Sequence, residues 1–184
     1  MRIGLLTDTH LPGTIRELWP EVHKAFTGCD LILHGGDIVS QGVLDWLEQI
    51  APVLAAKGNN DWDWGDSRVK DTHFLDVEGW RLGMVHDMEP EDRPIEYLRK
   101  QYLKGERVDV MVTGHTHFER LTYRDGVVQI NSGSPIHPHL WSTRLGTVGV
   151  LDITRSRIQA QVVKLGETPG MRNPGLDLSV TVRR

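Results

Sequence analysis

Five short apolar runs in this chain each lead into a residue that can bind a metal ion or a phosphate group. The residues that follow these runs are Asp8, Asp37, Asn59, His86 and His115. The first three runs alternate with segments of helical periodicity, which is typical of βαβ units and a parallel sheet. Ligands bind at the carboxyl ends of the strands in such sheets, so the pattern predicts one shared site at that edge.

The N-terminal third of the chain predicts strands and helices in alternation. The strands are expected at residues 2–7, Leu31–His34 and Val53–Ala56, and the helices at residues 14–26 and 41–49. Pro20 should break or bend the first helix, because proline lacks an amide hydrogen and clashes with the preceding turn.

The rest of the chain predicts mainly antiparallel strands. Thr72–Val77 and Trp80–Val85 flank the turn dipeptide Glu78-Gly79, which indicates a β-hairpin. A helix is expected at about 93–103 and a buried strand at 108–112. Further hairpins are expected between 119–123 and 127–130 and between 147–153 and 158–164, with a late strand at 178–182.

Length and composition restrict the class of protein. A chain of 184 residues predicts one domain, at 1–166, followed by an irregular tail at 167–184. The net charge of −4 disfavours a protein built to bind nucleic-acid duplexes. Cys29 is the only cysteine, which excludes an intrachain disulfide and a multi-cysteine zinc site. No apolar run approaches the roughly 18 residues of a membrane span, and the first residues do not form a signal peptide, so we expect no membrane association and a cytoplasmic location.

The donors near the strand ends suit metal ions. They are seven: Asp8, His10, Asp37, Asn59, His86, His115 and His117. In Asp8-Thr9-His10 and His115-Thr116-His117 the outer residues would point the same way if the backbone is extended. Seven donors are too many for one ion with an open position, and they fit two ions about 3.5–4 Å apart that share a carboxylate. Two divalent ions, two carboxylates and a hydroxide leave about one positive charge, which favours a phosphate substrate.

These blocks resemble those of the calcineurin-like metallophosphoesterases. The matching residues are Asp8-x-His10, Gly36-Asp37, Gly58-Asn59-Asn60-Asp61, His86 and Gly114-His115-x-His117, and the likeness runs from residue 1 to about 155. The small bacterial and archaeal phosphodiesterases of the family are similar in size. The resemblance implies an α/β fold, a four-layer αββα sandwich of two mixed sheets flanked by helices.

The resemblance also implies roles for the seven donors. Asp8, His10 and His117 would hold one metal, and Asn59, His86 and His115 the other, with Asp37 bridging both. A hydroxide between the metals would attack phosphorus in line. Mn²⁺ or Fe is the expected metal, and Zn²⁺, Co²⁺ and Ni²⁺ are alternatives, because mixed nitrogen and oxygen sites bind several such ions.

Asn60 departs from the pattern of the larger family members, which carry a histidine there as the proposed general acid. Asparagine cannot supply a proton near pH 7, but it can donate a hydrogen bond to a phosphate oxygen. The smallest members commonly lack that histidine too. We therefore predict a binuclear metal-dependent phosphodiesterase that acts on a small phosphate ester, with Asn60 as its catalytic residue.

Several other residues have two interpretations each. His137 and His139 follow Asn131-Ser132-Gly133-Ser134, which is similar to a family segment near the active site. Either histidine would act as a replacement acid or phosphate ligand, or would belong to a structural loop, and Arg144 would contact phosphate by its charge. Trp62 and Trp64 would form a stacking wall for a base or aryl group, or would serve in packing or a dimer contact. His34 is expected to be a satisfied core histidine or to support the ligands.

Two other classes of function remain open. One is a non-catalytic binding or scaffold module on the same fold, as in the retromer subunit of similar size, although that scaffold has substituted metal positions. The other is a phosphomonoesterase or protein phosphatase, which Asn60 and the short connections disfavour. The natural substrate and any homo-oligomer are not decided by the sequence.

Overall fold

A computed structural model describes residues 1–13 and 15–184 of the chain. Its N-terminal half contains β1 (Arg2–Leu6), α1 (Pro20–Phe26), β2 (Leu31–His34), α2 (Gln41–Glu48), β3 (Val53–Ala56), β4 (Val69–Lys70), β5 (Thr72–Val77) and β6 (Trp80–Val85). The C-terminal half contains α3 (Ile95–Tyr102), β7 (Val110–Thr113), β8 (Glu119–Arg124), β9 (Val127–Ser132), a 3-10 turn (Pro138–Leu140), β10 (Thr147–Thr154), β11 (Arg157–Lys164) and β12 (Leu178–Arg183).

The strands form two mixed sheets. The larger sheet has seven strands in the order β12-β11-β10-β1-β2-β3-β4, and the smaller has five in the order β5-β6-β7-β9-β8. Parallel pairing joins β1 to β2 and β2 to β3 in the larger sheet, and β6 to β7 and β7 to β9 in the smaller one. The predicted βαβ start and antiparallel end of the chain are both confirmed.

Alternate residues of the strands face different layers. In β2, Leu31 and Leu33 belong to the apolar cluster between the two sheets, whereas Ile32 belongs to the cluster beneath α1 and α2. A third cluster packs α3 residues such as Leu98 against Met111 on the outer face of the smaller sheet. This period of two is what a strand buried on both faces requires. The layers are therefore helix, sheet, sheet, helix, and the predicted αββα sandwich is confirmed.

The first helix is shorter than the sequence suggested. Helix α1 begins at Pro20 and residues 15–19 are not helical, so the prediction of a helix over 14–26 is wrong there, while Thr14 lies outside the described residues. Trp19 has φ −61° and ψ 138°, the extended conformation that a following proline imposes. Proline is well suited to the first position of a helix, where its missing amide hydrogen costs nothing. The buried strand expected at 108–112 begins two residues later, at Val110. Within the described ranges, no helix has the length and apolar character needed to cross a membrane.

The segment after residue 166 packs against the larger sheet. Strand β12 pairs antiparallel with β11, from Leu178 opposite Val162 to Arg183 opposite Arg157, and Val182 is buried in the central cluster. Asn173 is also buried, and its side-chain amide donates to the carbonyls of Gly146 and Gly166, at 2.9 Å each. The segment thus supplies the edge strand of the sheet and part of its hydrogen bonding.

Truncation after Leu165 should therefore lower stability but spare the predicted metal ligands. Full burial of an apolar side chain contributes about 1.5–3 kcal/mol, so losing Val182 and the partly buried Leu178 and Val180 should cost roughly 3 kcal/mol or more. Thermal unfolding measures the loss, and a Mn²⁺ titration below the melting temperature measures binding. A folded truncated protein that binds no metal would contradict this placement of the ligands.

Candidate metal centre

The structure brings all seven predicted donors to one place at the edges of both sheets. Asp8 and His10 follow β1, Asp37 follows β2 and Asn59 follows β3, so four donors come from the larger sheet. His86 follows β6, and His115 and His117 follow β7, so three come from the smaller sheet. The site lies where the carboxyl ends of these parallel strands meet, as the sequence indicated.

One half of the site is built on two histidine rings. His10 Nε2 lies 3.2 Å from His117 Nε2, and the rings stack with centroids 5.1 Å apart. His117 Nε2 is also 3.7 Å from Asp8 Oδ1. The Nδ1–H of His117 donates to the carbonyl of His137 at 2.9 Å, which leaves the Nε2 lone pair directed at the other two side chains. Burial lowers the pKa of His10 and of His117, which favours their neutral, metal-binding form.

The other half is built around Asn59. Its Oδ1 lies 3.0 Å from His86 Nε2 and 3.0 Å from His115 Nδ1. The Nδ1–H of His86 donates to the carbonyl of Gly35 at 2.8 Å, so a lone pair on Nε2 faces the Asn59 oxygen. Two acceptors at this distance are favourable only with a cation or a proton between them.

Asp37 faces both halves of the site. Its Oδ2 lies 3.5 Å from His10 Nε2, and its Oδ1 lies 3.5 Å from His86 Nε2. Burial alone would raise the pKa of this carboxyl, but hydrogen bonds from Asn60 and the neighbouring histidines outweigh it and hold the pKa below its usual value. Asp37 is therefore a carboxylate with one oxygen turned toward each group of donors.

Asp8 supplies the clearest test of whether a cation fits. The residue is fully buried, and its Oδ2 accepts from Thr7 Oγ1 at 2.7 Å and from the His115 amide at 2.9 Å. Its Oδ1 has no hydrogen-bond partner among the described residues. Burial raises the pKa of Asp8 to about 6. A buried carboxylate oxygen without a partner is costly, and a divalent cation beside it removes the cost. The donor set and its geometry therefore fit divalent metal ions.

The backbone at these donors is left-handed rather than extended. Positive φ angles, from 47° to 71°, occur at five of them: Asp8, His10, Asp37, His115 and His117. The expectation that an extended backbone aligns the outer residues of each triplet is therefore wrong. In the second triplet, His115 contacts Asn59 while His117 contacts His10, so the two rings serve different halves. Such angles are rare outside glycine and cost of order 1–3 kcal/mol each, and they cluster at functional sites.

Asp61 ties together two of the loops that carry donors. Its Oδ1 accepts from the amides of Ile38 and Val39, at 2.7 and 2.8 Å, and its Oδ2 accepts from the amide of Gly58 at 2.8 Å. A Cβ atom on Gly58 would lie 2.1 Å from the Asp37 amide nitrogen, so only glycine fits there. The sequence showed these residues as part of a motif but did not show this bracing role.

Asn60 and His34 both make hydrogen bonds to residues of the loops that carry the donors. The amide and side chain of Asn60 donate to Asp37 Oδ1 and Oδ2, at 2.8 and 2.7 Å, so this residue holds the carboxylate that faces both halves. His34 is fully buried, accepts from the Gly36 amide and lies 3.1 Å from Thr9 Oγ1. Burial lowers the pKa of His34 to about 3, so it is the satisfied, neutral core histidine that the sequence suggested.

The remaining candidates have different surroundings. The ring of His137 lies 6.3 Å from that of His10, beside the site, whereas His139 Nε2 lies 2.7 Å from Glu119 Oε2. Arg144 donates to Ser142 and to the carbonyl of Arg172. Trp64 packs against the cluster beneath α1 and α2, and Trp62 is 76% exposed.

The sequence of this chain is similar to that of known phosphoesterases. Residues 1–156 match the model of the calcineurin-like phosphoesterase superfamily domain. A probable metallophosphoesterase of Methanothermobacter thermautotrophicus is 34% identical over 167 residues, covering 90% of this chain and 94% of that protein. A phosphodiesterase of Methanocaldococcus jannaschii is 24% identical, covering 89% of this chain and all of that protein.

Solved structures share the fold at lower sequence identity. Wild-type Vps29 of Entamoeba histolytica in complex with Zn²⁺ superposes with a TM-score of 0.74 and 20% identity, covering 100% of this chain and 99% of that one. A structure described as a novel archaeal phosphodiesterase has a TM-score of 0.64 and 23% identity, covering 89% and 99%. At these identities the likeness shows a common fold.

Proposed function

This chain belongs to the calcineurin-like phosphoesterase superfamily, and from that premise we propose that it is a phosphodiesterase that depends on two divalent metal ions. The observation that carries the proposal is Asp37, a buried carboxylate with one oxygen turned to His10 and the other to His86. A carboxylate shared between two groups of donors is what a pair of ions needs. The M. jannaschii relative, named a phosphodiesterase, supports a diester over a monoester.

The chain's own donors divide into two sets. Asp8, His10 and His117 would hold one ion, and Asn59, His86 and His115 the other, with Asp37 between them. When bound, the ions would activate water and neutralise charge on the phosphoryl oxygens. Mn²⁺ or Fe is proposed, with Zn²⁺, Co²⁺ and Ni²⁺ as alternatives, because mixed nitrogen and oxygen donors accept several such ions.

The exposed side of the site determines what a substrate meets. The side chains of Asp8 and Asp37 are 0% and 4% exposed, whereas those of His10 and His115 are 26% and 32% exposed. The side of the site that carries His10 and His115 would therefore face a bound phosphate, and the two carboxylates would lie behind it, away from repulsion with the anion. A cavity of about 400 Å³ beside Asn59, His86 and His115 is large enough for a small ester group.

Metal removal tests the proposal. Dialysis of the purified protein against a chelator should abolish hydrolysis of bis(p-nitrophenyl) phosphate, and added Mn²⁺ should restore it, with elemental analysis before and after. The monoester p-nitrophenyl phosphate should be the poorer substrate. Metal-loaded protein that hydrolyses neither compound would favour the scaffold alternative, and a preference for the monoester would favour a phosphomonoesterase.

The buried Glu119 and the partly buried His139 form a pair that holds the segment orienting His117. His139 Nε2 lies 2.7 Å from Glu119 Oε2, and Thr147 Oγ1 donates to Glu119 Oε1 at 2.9 Å. The same segment accepts from the His117 ring through the carbonyl of His137 and donates to the His117 carbonyl through the His139 amide, at 2.9 and 3.1 Å. His117 is thus fixed at both its ring and its backbone by a segment anchored on Glu119.

Glu119→Ala or His139→Ala should lower the affinity for Mn²⁺ about 10- to 100-fold, the usual cost of losing a residue that orients a metal ligand. Glu119→Gln should stay near wild type, because its amide can still bond to both His139 and Thr147. Calorimetric titration with Mn²⁺ measures the effect. The control is Asp76→Ala, which removes a surface carboxylate of the edge strand β5 that pairs with Arg81. This variant should bind Mn²⁺ as the wild type does. Unchanged affinity in both alanine variants would contradict the orienting role.

A further inference from the structure

Trp62 presents a large aromatic surface to solvent on the loop that carries the predicted ligand Asn59. Its side chain is 76% exposed, and it directly follows Asp61, whose carboxylate accepts three backbone hydrogen bonds. The backbone that carries the indole is therefore held by the same contacts that brace the donor loops. Trp64, two residues on, packs against the core and holds the other end of this short segment.

The metal donors and this indole line two cavities that have wall residues in common. The cavity beside Asn59, His86 and His115 adjoins a second cavity of about 370 Å³ that is lined by Trp62 and Trp64. The two cavities share Lys57 and Asp71 as wall residues. A molecule whose phosphate lies at the metal centre would therefore extend past Lys57 into the second cavity to meet the indole.

The charges differ between the first cavity, the near end, and the second cavity, the far end. The ammonium of Lys57 makes no ion pair within the described part of the chain, and it lines the end nearest the metal donors together with the carboxylates of Asp71 and Asp87. At the far end, the carboxylate of Asp66 forms an ion pair with Arg68, with Oδ2 and Nη2 2.6 Å apart. Lys57 and Lys70 then stand against Asp63 and Asp71, so the charges of the second cavity balance. The near end would hold an anion through the bound metal ions together with Lys57, and the far end offers an aromatic face without net positive charge.

We infer that Trp62 forms a subsite for an uncharged planar aromatic group carried on an ester oxygen of the substrate, with Lys57 contacting the phosphate. This inference rests on the proposed function, and it narrows the substrate class to phosphodiesters with an aryl or nucleoside substituent. An aromatic ring stacked on the indole has the offset or edge-on geometries available that make such pairs favourable. Beyond Lys57, which would contact the first phosphate, a second phosphate group would meet only Lys70, in a cavity that Asp63 and Asp71 also line.

The test measures binding of three monoesters to Mn²⁺-loaded protein by calorimetry: phenyl phosphate, uridine 5′-monophosphate and methyl phosphate. Trp62→Ala should lower the affinity for phenyl phosphate about 3- to 10-fold and leave the affinity for methyl phosphate unchanged, because only phenyl phosphate has a ring that can stack on the indole. Trp62→Phe should restore most of the loss. A loss for uridine 5′-monophosphate as well identifies a nucleoside substituent, and a loss for phenyl phosphate alone identifies an aryl one.

Two further variants serve as controls. Lys57→Met should weaken phenyl phosphate and methyl phosphate by equal factors, because both carry the phosphate. Trp141→Ala should change neither affinity. Trp141 is a half-exposed tryptophan whose ring lies 5.1 Å from the Arg144 guanidinium.

The results separate this inference from the proposed function. Wild-type protein that fails to hydrolyse bis(p-nitrophenyl) phosphate refutes the function, whatever Trp62 does. Active protein in which Trp62→Ala weakens no ligand, or weakens phenyl and methyl phosphate equally, refutes the subsite. Unchanged ligand affinities together with a smaller sedimenting mass of Trp62→Ala would also refute it, and would assign the indole to a contact between copies.

Discussion

Replacing Asp37 with asparagine or alanine should remove both metal ions from the protein, whereas Asn59→Ala should weaken mainly one. Asp37 is the only one of the seven donors that lies within 3.5 Å of a histidine in each half of the site. Asn59 contacts His86 and His115, which belong to one half. We expect Mn²⁺ affinity to fall more than about 100-fold in the Asp37 variants, beyond what loss of a supporting residue causes, with hydrolysis falling in parallel. Elemental analysis after gel filtration counts the ions.

Asp37→Asn is the sharper of the two Asp37 variants. Asp37 has φ 54°, a conformation that asparagine tolerates better than alanine, so the folded structure should survive. The asparagine also keeps an oxygen that can accept from Asn60, while losing the negative charge and one acceptor. Asp76→Ala again serves as a carboxylate removed far from the site. Two ions per chain in folded Asp37→Asn would refute the shared carboxylate.

Hydrolysis should depend steeply on the leaving group. A general acid contributes typically 10²–10⁴-fold when the departing oxygen must be protonated. Asn60 cannot supply that proton, and its side chain is committed to Asp37. Nitrophenolate leaves as a stable anion, so bis-aryl phosphates should be cleaved well and alkyl diesters slower by a factor within that range. Rates across a series of phenol and alcohol leaving groups, at saturating Mn²⁺, measure the dependence.

Two sets of variants decide what supplies the proton. Asn60→His should flatten the dependence if its ring reaches the leaving oxygen, although it also removes a hydrogen bond from Asp37. At saturating Mn²⁺, His137→Ala and His139→Ala should change aryl ester rates little. A large loss confined to alkyl esters would identify one of these histidines as the acid. A flat dependence in the wild type, with chemistry rate-limiting, would show that the interpretation of Asn60 is wrong.

The convergence of the donors was predictable because it depends on chain order and strand ends. Asp8, Asp37 and Asn59 follow successive parallel strands, and the carboxyl ends of such strands meet at one edge by topology alone. The αββα layering was implied by the resemblance of the motif blocks to the calcineurin-like metallophosphoesterases, and the apolar runs alone predicted only the alternation of strands and helices. The backbone at the donors was not predictable in this way, because the left-handed φ angles arise from tight turns packed between two sheets, which residue alternation does not describe.

Glu119 shows why supporting residues escape sequence analysis. It is the first residue of β8, a strand of mainly polar residues. From the sequence alone, a glutamate at this place is expected to face solvent. Its side chain is nevertheless 1% exposed, because its partners His139 and Thr147 come from distant parts of the chain. Gly175, from the C-terminal segment, also lies against it, since a Cβ atom there would come within 2.9 Å of Glu119 Oε1. Only the folded chain brings these four residues together.

The division of the donors between the two sheets links folding to metal supply. Asp8, His10, Asp37 and Asn59 belong to one sheet and His86, His115 and His117 to the other, so bound ions would fasten the halves of the sandwich across their shared edge. A ligand at 100 times its dissociation constant adds about 2.7 kcal/mol to the stability of the state that binds it. If the protein binds the ions as proposed, metal-free protein would be less stable than loaded protein by a margin of this order, and the melting temperature would rise with the Mn²⁺ concentration.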